Sequence, residues 1–166
     1  MKLKPAIVFV FIAIATATAW SADSWQGKVV GISDGDTITV MHDGKAEKIR
    51  LYGIDTPEMG QPFGKNAKVY TSDQVFGKMV NVVPIDRDRY GRTVALIYLH
   101  KSSESLNEGT VKSGYAWVYR KYCKAGYCSH WLQLEQDAKN QQLGLWIEKN
   151  PSPPWDFRKT KRSKQK

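Results

Sequence analysis

The run Thr37-Ile38-Thr39-Val40-Met41-His42-Asp43-Gly44, answered by Lys48-Ile49-Arg50-Leu51-Tyr52-Gly53-Ile54, decides the fold. Ile38 and Val40 alternate with Thr37, Thr39 and Met41, the period of a strand with one buried face. Asp43-Gly44 is a strong two-residue hairpin signal, because the tightest hairpin turns need positive φ at their central positions. Upstream, Val29, Val30 and Ile32 lie in a first β-rich run that ends at the turn Ser33-Asp34-Gly35. Downstream, Phe63, Ala67 and Tyr70 share helical spacing and predict a helix from about Pro62 to Phe76. Two more strands are predicted from Met79 to Ile85 and from Thr93 to Leu99. Ser105 and Glu108 fit a capping box for a short helix ending near Gly114. Ser129 is the expected cap of a longer helix, with Leu134, Ala138 and Leu145 on one face and Gly144 near its end. Five short strands with interspersed and trailing helices predict an α+β domain built on a small closed β-barrel, of which the OB-fold is one type.

The chain of 166 residues is long enough for one domain with a substantial core and too short for two. Its first residues read as an export signal. Lys2 and Lys4 precede an apolar run from Ala6 to Ala19, and Ala17-Thr18-Ala19 offers the small-x-small cleavage pattern; a cut after Ser21 also fits. The run is short for a bilayer-spanning helix, which needs about 20 residues. The competing reading is an uncleaved anchor at the membrane. Loss of residues 1–19 removes two lysines and no acids, so the net charge of +9 becomes +7. Such a basic chain attracts polyanions, although charge alone says nothing about chemistry. The expected division is a signal peptide at 1–19, a domain at 20–150, and a basic, disordered tail at 151–166. That tail opens with Pro151-Ser152-Pro153-Pro154 and carries Arg158, Lys159, Lys161, Arg162, Lys164 and Lys166. Such a run usually forms a solvated tail.

Cys123 and Cys128 are the only cysteines. In an exported chain a close pair suggests one disulfide that pins a short loop. The alternative is zinc with His130 as third ligand, a site without an evident fourth.

Three clusters carry the chemistry: Asp34-Gly35-Asp36-Thr37, Arg50-Leu51-Tyr52-Gly53-Ile54-Asp55-Thr56-Pro57-Glu58, and Asp88-Arg89-Tyr90-Gly91-Arg92. Each alone is an ordinary turn or helix opening. Together they supply what phosphodiester hydrolysis needs. Asp36 and Asp55 offer oxygen ligands to a hard cation such as calcium. A cation beside phosphate polarises it and offsets its charge. Glu58, three residues beyond Asp55, is a candidate base for water. Arg50 and Arg92 can each give two hydrogen bonds to phosphate, which lysine cannot do. His42, His100 and His130 lie outside these clusters, so a histidine-centred mechanism gains little support.

From about Gly27 to Trp146 the sequence resembles the staphylococcal nuclease (thermonuclease, micrococcal nuclease) family. The resemblance rests on the Asp-Gly-Asp-Thr turn, the Arg-Leu-x-Gly-Ile-Asp-Thr-Pro-Glu segment and Asp-x-Tyr-Gly-Arg before a strand, in that order. It implies an OB-fold, a five-stranded Greek-key β-barrel with three helices. It also implies an exported bacterial, calcium-dependent nuclease that hydrolyses DNA and RNA and leaves 3′-phosphate ends. By the resemblance Asp36 and Asp55 are the calcium carboxylates, with the main-chain carbonyl of Thr56 beside them and Asp34 just outside. Glu58 activates water, and Arg50 and Arg92 are the catalytic guanidinium groups. Tyr119 falls beside the nucleotide, Trp117 replaces a second aromatic there, and Tyr90 is a further phosphate or sugar contact. The expected mature form is a secreted or periplasmic monomer with no stable protein partner and no membrane association. Two departures stand out. The segment Met59 to Lys65 is shorter than the lysine-rich loop of the staphylococcal enzyme, and that enzyme lacks the Cys123–Cys128 segment. Two rivals keep the same residues: a barrel that binds single-stranded nucleic acid without cutting it, and an envelope-binding surface protein with a vestigial site. The retained carboxylates and arginines favour the enzyme.

Overall fold

A computed structural model describes residues 23–164. The expected signal peptide lies outside the described residues. Strand β1 (Trp25–Ile32) leads into β2 (Thr37–His42) and β3 (Lys45–Leu51). The hairpin joining β2 to β3 turns at Asp43 and Gly44, with φ of 47° and 77°, as the Asp-Gly signal requires. A short strand β4 (Ile54–Asp55) follows, then helix α1 (Gly64–Val75), strands β5 (Met79–Arg87) and β6 (Thr93–Leu99), and helix α2 (Leu106–Lys112). The chain continues through β7 (Trp117–Val118), helix α3 (Cys128–Asn140), a 3₁₀ turn (Gly144–Ile147) and helix α4 (Pro154–Ser163).

Five strands close into a barrel in the order β1-β2-β3-β6-β5, with β5 returning to β1. All neighbours are antiparallel except β3 and β6, which run parallel. This is the expected α+β barrel of OB type, with one helix more than expected. The alternation read from sequence sends Val29, Ile38, Val40, Ile49, Leu51, Val80, Val82 and Ile97 into a core where each is at most 2% exposed. Burying aliphatic side chains of this size stabilises the fold by roughly 1.5–3 kcal/mol each. Helix α2 packs against β6 and α3, with Leu106 and Val111 in the barrel's core cluster. Asn107 on it is fully buried, donates to the Tyr52 and Ala95 carbonyls at 3.0 and 3.1 Å, and accepts from Ile97 N at 3.1 Å. Ser105 caps α2 by accepting from Glu108 N, as expected.

Several boundaries differ from expectation for identifiable reasons. Helix α1 starts at Gly64 because Phe63 sits in the left-handed region, φ 64°, and turns the chain into the helix. Ser129 does not cap α3. The helix begins at Cys128, and the Ser129 hydroxyl donates instead to the Gly126 carbonyl. The buried face of α3 runs through Trp131, Glu135 and Ala138, so a carboxylate occupies a core-facing position. The Glu135 Oε2 accepts from Val118 N at 2.7 Å and its other oxygen pairs with Lys139, which satisfies a charge that would be costly if buried alone. Cys123 and Cys128 form the disulfide, so neither is available as a zinc thiolate.

The largest correction concerns the tail. Within the tail, expected to be disordered apart from a possible contact of Trp155 with the body, Pro154–Ser163 form a docked helix. Pro154 takes the first helical position, where its missing N–H costs nothing and its fixed φ suits a helix. Trp155 joins a second apolar cluster of Trp117, Ala138, Leu145, Trp146 and Phe63. Among the described residues no helix is long and apolar enough to cross a membrane.

Candidate active site

The site grows out of one turn and one strand pair. The turn from β1 to β2 closes with Ser33 N donating to Thr37 O at 2.9 Å, and Asp36 N donating to Asp34 Oδ1 at 3.1 Å. This brings Asp36 beside β3, where Leu51 N donates to its carbonyl at 2.8 Å. Ile49 and Leu51 point into the barrel, so Arg50 between them points out. It is covered there by the segment that follows, and its side chain is only 16% exposed. Positive φ at Gly53 turns the chain into β4, which pairs with β7 so that Asp55 faces Trp117 in register. The small β4–β7 sheet thereby holds Asp55, 1% exposed, against the barrel.

Arg50 joins the first two carboxylates. Its Nη1 pairs with Asp36 Oδ1, and its Nη2 lies 2.9 Å from Asp55 Oδ1 and 3.1 Å from the Ile54 carbonyl. Thr56 N and Oγ1 both donate to Asp36 Oδ2, at 2.8 and 3.0 Å. Glu58 is set by α1. A Cβ on Gly64 would overlap the Glu58 carbonyl, so a glycine here lets the helix start approach it. Gln61 Oε1 accepts from Glu58 N at 3.2 Å, and its amide donates to the Ser152 carbonyl across the fold.

A sixth charged group stands in this cluster. Arg158 of α4 places Nη2 2.8 Å from Asp55 Oδ2, and Nη1 3.2 Å from Asp55 Oδ1 and 2.7 Å from Glu58 Oε1. It therefore bridges an expected metal carboxylate and the expected catalytic carboxylate. Nothing in the sequence reading assigned it. The available signals were weak: prolines that open a helix, followed by Trp155 and Arg158 three residues apart.

Charges in the site follow from this crowding. Burial, with the neighbouring Asp36 charge, pushes Asp34 up to about 7. Burial likewise raises Asp55, against the pull of Arg158 and Arg50. Burial works to lower Arg50, but Asp36, Asp55 and Asp34 outweigh it and raise the guanidinium further. Arg158 is raised too, by its hydrogen bonds to Asp55 and Glu58 against the effect of burial.

The other expected residues lie apart from the carboxylates. Arg92 directly precedes β6, whose Val94 is the register partner of Arg50, so its backbone sits beside the site. Its side chain turns to Asp88, with Nε 2.7 Å from Oδ2. Burial alone would raise Asp88, but its hydrogen bonds with Arg92 pull it below the usual carboxylate range. Tyr90 is exposed, with the guanidinium groups of Arg89 and Arg92 at 4.8 and 5.6 Å from its ring. Tyr119 stacks on Trp155, centroids 5.0 Å apart and planes within 15°. Trp117 is buried in the second apolar cluster.

The side chains here that could ligate a metal, Asp34, Asp36 and Asp55, offer oxygen atoms, with no cysteine or histidine in the turn or the segment that carry them. Asp34 and Asp36 add two carboxylates to Asp55 within this one turn and strand pair. That chemistry fits a hard divalent cation. Among the described residues no three acidic, histidine or cysteine side chains converge on one point; Arg50 and Arg158 are interposed between the carboxylates.

A five-stranded barrel of OB type with clustered carboxylates and a largely buried arginine beside them carries the groups that a hydrolase acting on phosphodiesters needs. Residues 48–148 match the family model described as staphylococcal nuclease homologue. The chain is 34% identical over 165 residues to a micrococcal nuclease of Shigella flexneri, covering 95% of this chain and 93% of that protein. It is 39% identical over 146 residues to an uncharacterized endonuclease of Haemophilus influenzae, covering 86% and 78%. It is 37% identical over 163 residues to an uncharacterized endonuclease of Escherichia coli, covering 96% and 99%. The chain belongs to the staphylococcal nuclease family. It is a hydrolase of phosphodiester bonds, with nucleic acid as its substrate.

Proposed function

We propose that the chain is an exported, calcium-dependent endonuclease that hydrolyses DNA and RNA and leaves 3′-phosphate ends. The observation that carries this reading is the convergence of Asp36, Asp55, Glu58 and Arg50 at one rim of the barrel. Asp36 and Asp55 would hold calcium together with the Thr56 carbonyl, and Asp34 would add negative charge just outside. When bound, the ion supplies charge neutralisation and polarisation at the scissile phosphate. Glu58 takes a proton from the attacking water. A new bond forms from the water oxygen to phosphorus, the bond to the 5′-oxygen breaks, and that oxygen leaves with a proton. Arg50 donates to the phosphate oxygens as charge accumulates on them. Arg92 swings from Asp88 to do the same from the adjoining strand. Tyr119 lies beside the nucleotide, and Tyr90 adds a contact to phosphate or sugar.

Export rests on the sequence of residues 1–19, and the Cys123–Cys128 disulfide suits an oxidising compartment. The testing experiment incubates purified residues 20–166 with plasmid DNA and with RNA, in calcium and in excess chelator. Product ends are then probed by polymerase extension before and after phosphatase treatment. The expected result is cutting only with calcium, and ends that extend only after phosphatase. Cutting undiminished by chelator overturns the metal assignment, and ends that extend directly overturn the 3′-phosphate assignment.

A further inference from the structure

Helix α4 meets the site at three points that have no part in the chemistry above. Arg158 engages both oxygens of Asp55 and one of Glu58. Trp155 stacks on Tyr119. The Ser152 carbonyl, just before the helix, accepts from Gln61, the residue that also holds Glu58 N. One ten-residue helix thus covers the metal carboxylate, the water-activating carboxylate and the nucleotide-facing aromatic together.

A guanidinium in this position competes with a cation. Its two nitrogens take both oxygens of Asp55 in the paired geometry that makes arginine–carboxylate contacts strong. A divalent ion bound to the same carboxylate would stand beside a fixed positive charge only a few ångströms away. The contact is also suited to release. Pro154 is the only buried residue of α4, Arg158 remains one-third exposed, and the outer face is polar. A helix of ten residues is marginal by itself in water, so its presence depends on the docking contacts. Local opening of such an element needs far less than global unfolding.

We propose that α4 is a built-in inhibitor of this nuclease: Arg158 occupies the cation's side of Asp55 and Glu58 while Trp155 covers Tyr119, and binding of the divalent ion and nucleic acid requires the helix to leave. The inference rests on the calcium reading of the site. The strand of nucleic acid then takes the place of the Trp155 ring on Tyr119, since any base offers a π-face of the same kind. The cations of α4 remain available after release to contact phosphates.

The test uses residues 20–166 and calcium alone, without nucleic acid. Calcium affinity is measured by calorimetry for the unaltered protein and for Arg158→Ala, with Arg158→Lys as a variant that keeps the charge but loses the paired geometry. Arg158→Ala is expected to bind calcium about tenfold or more tightly than the unaltered protein, with Arg158→Lys between them. In parallel, hydrogen exchange followed by mass spectrometry is run on the unaltered protein. Amides of residues 155–163 are expected to exchange faster once calcium is added, while those of α3 do not change. Equal or weaker calcium binding in Arg158→Ala, or unchanged exchange in α4 at saturating calcium, overturns the inhibitor and leaves the calcium reading standing. Absence of calcium binding in all three proteins overturns both.

Discussion

Arg50 is the residue on which the site turns. It points out of the barrel from a strand whose neighbours point in, and it touches Asp36, Asp55 and the Ile54 carbonyl at once. Lysine carries the same charge but offers neither the planar fork nor two parallel donors. Arg50→Lys should therefore lose on the order of a hundredfold or more in turnover, the usual cost of removing a preorganised donor to a developing oxyanion. Circular dichroism should find the variant folded. Turnover near normal would remove Arg50 from the chemistry. Glu58→Gln separates two roles in the same cluster: turnover should fall strongly while calcium affinity does not fall, as calorimetry and initial rates will report. Asp34 gives a prediction in pH. Its folded value is pushed up to about 7 from an ordinary 3.8, so between those values the folded state holds a proton that the unfolded state has lost. Stability of the metal-free protein must then fall as pH rises through this window. After allowance for solvent, the decline from Asp34 should be on the order of 1–2 kcal/mol. Denaturant melts at pH 4.5 and 7.5 should find this decline reduced in Asp34→Asn; an identical decline in that variant would assign it to another group.

At the scale of elements, the site depends on a brace that contributes no reacting group. The Cys123–Cys128 disulfide closes the loop between β7 and α3. Cys123 lies against Gly53, where an added Cβ would meet its Sγ at 2.9 Å. Lys124 N donates to the Tyr52 hydroxyl at 2.9 Å, so the same loop grips the residues just before Asp55. The closed loop is short, and replacing both cysteines by serine should cost about 2 kcal/mol, the low end of the range for a disulfide. Urea denaturation measures this directly. A loss within error would mean that packing alone holds the loop. The elements also explain what the sequence could convey. Period-two alternation, the Asp-Gly turn and the Ser105 cap are local signals, and they located the five barrel strands and α2. The β4–β7 sheet was not legible, because two-residue strands have no period, and the Val118 N–H of β7 is met by Glu135 from α3. Four of the carboxylates and Arg50 were legible because two adjacent segments carry them. Arg158 was not, since it lies 100 residues from Glu58 in a cationic run whose composition resembles a solvated tail. Only tertiary packing of Trp155 turns that run into part of the site.

For the whole molecule, charge and shape act together. The excess of 25 basic over 16 acidic residues gives a broad positive field, which raises encounter rates with polyanions and weakens with salt. Lys161, Arg162 and Lys164 lie exposed at the end of α4 and touch none of the site carboxylates. Replacing all three by glutamine should flatten the slope of log affinity for DNA against log salt by up to about 2–3. Calcium affinity should stay as it was. A change in calcium affinity would mean that these cations reach the site, and an unchanged slope would mean that DNA lies elsewhere.

The parallel pairing of β3 with β6 has one more consequence. Arg50 in β3 and Arg92, just before β6, are separated along the chain by β4, α1 and β5. No contiguous peptide carries the reacting set, so cutting power appears only once distant segments have closed on one another. Long-range pairings of this kind form late and slowly. A newly made chain, or one being threaded in extended form through a narrow channel, therefore holds every group the chemistry needs and is still harmless to the nucleic acids around it.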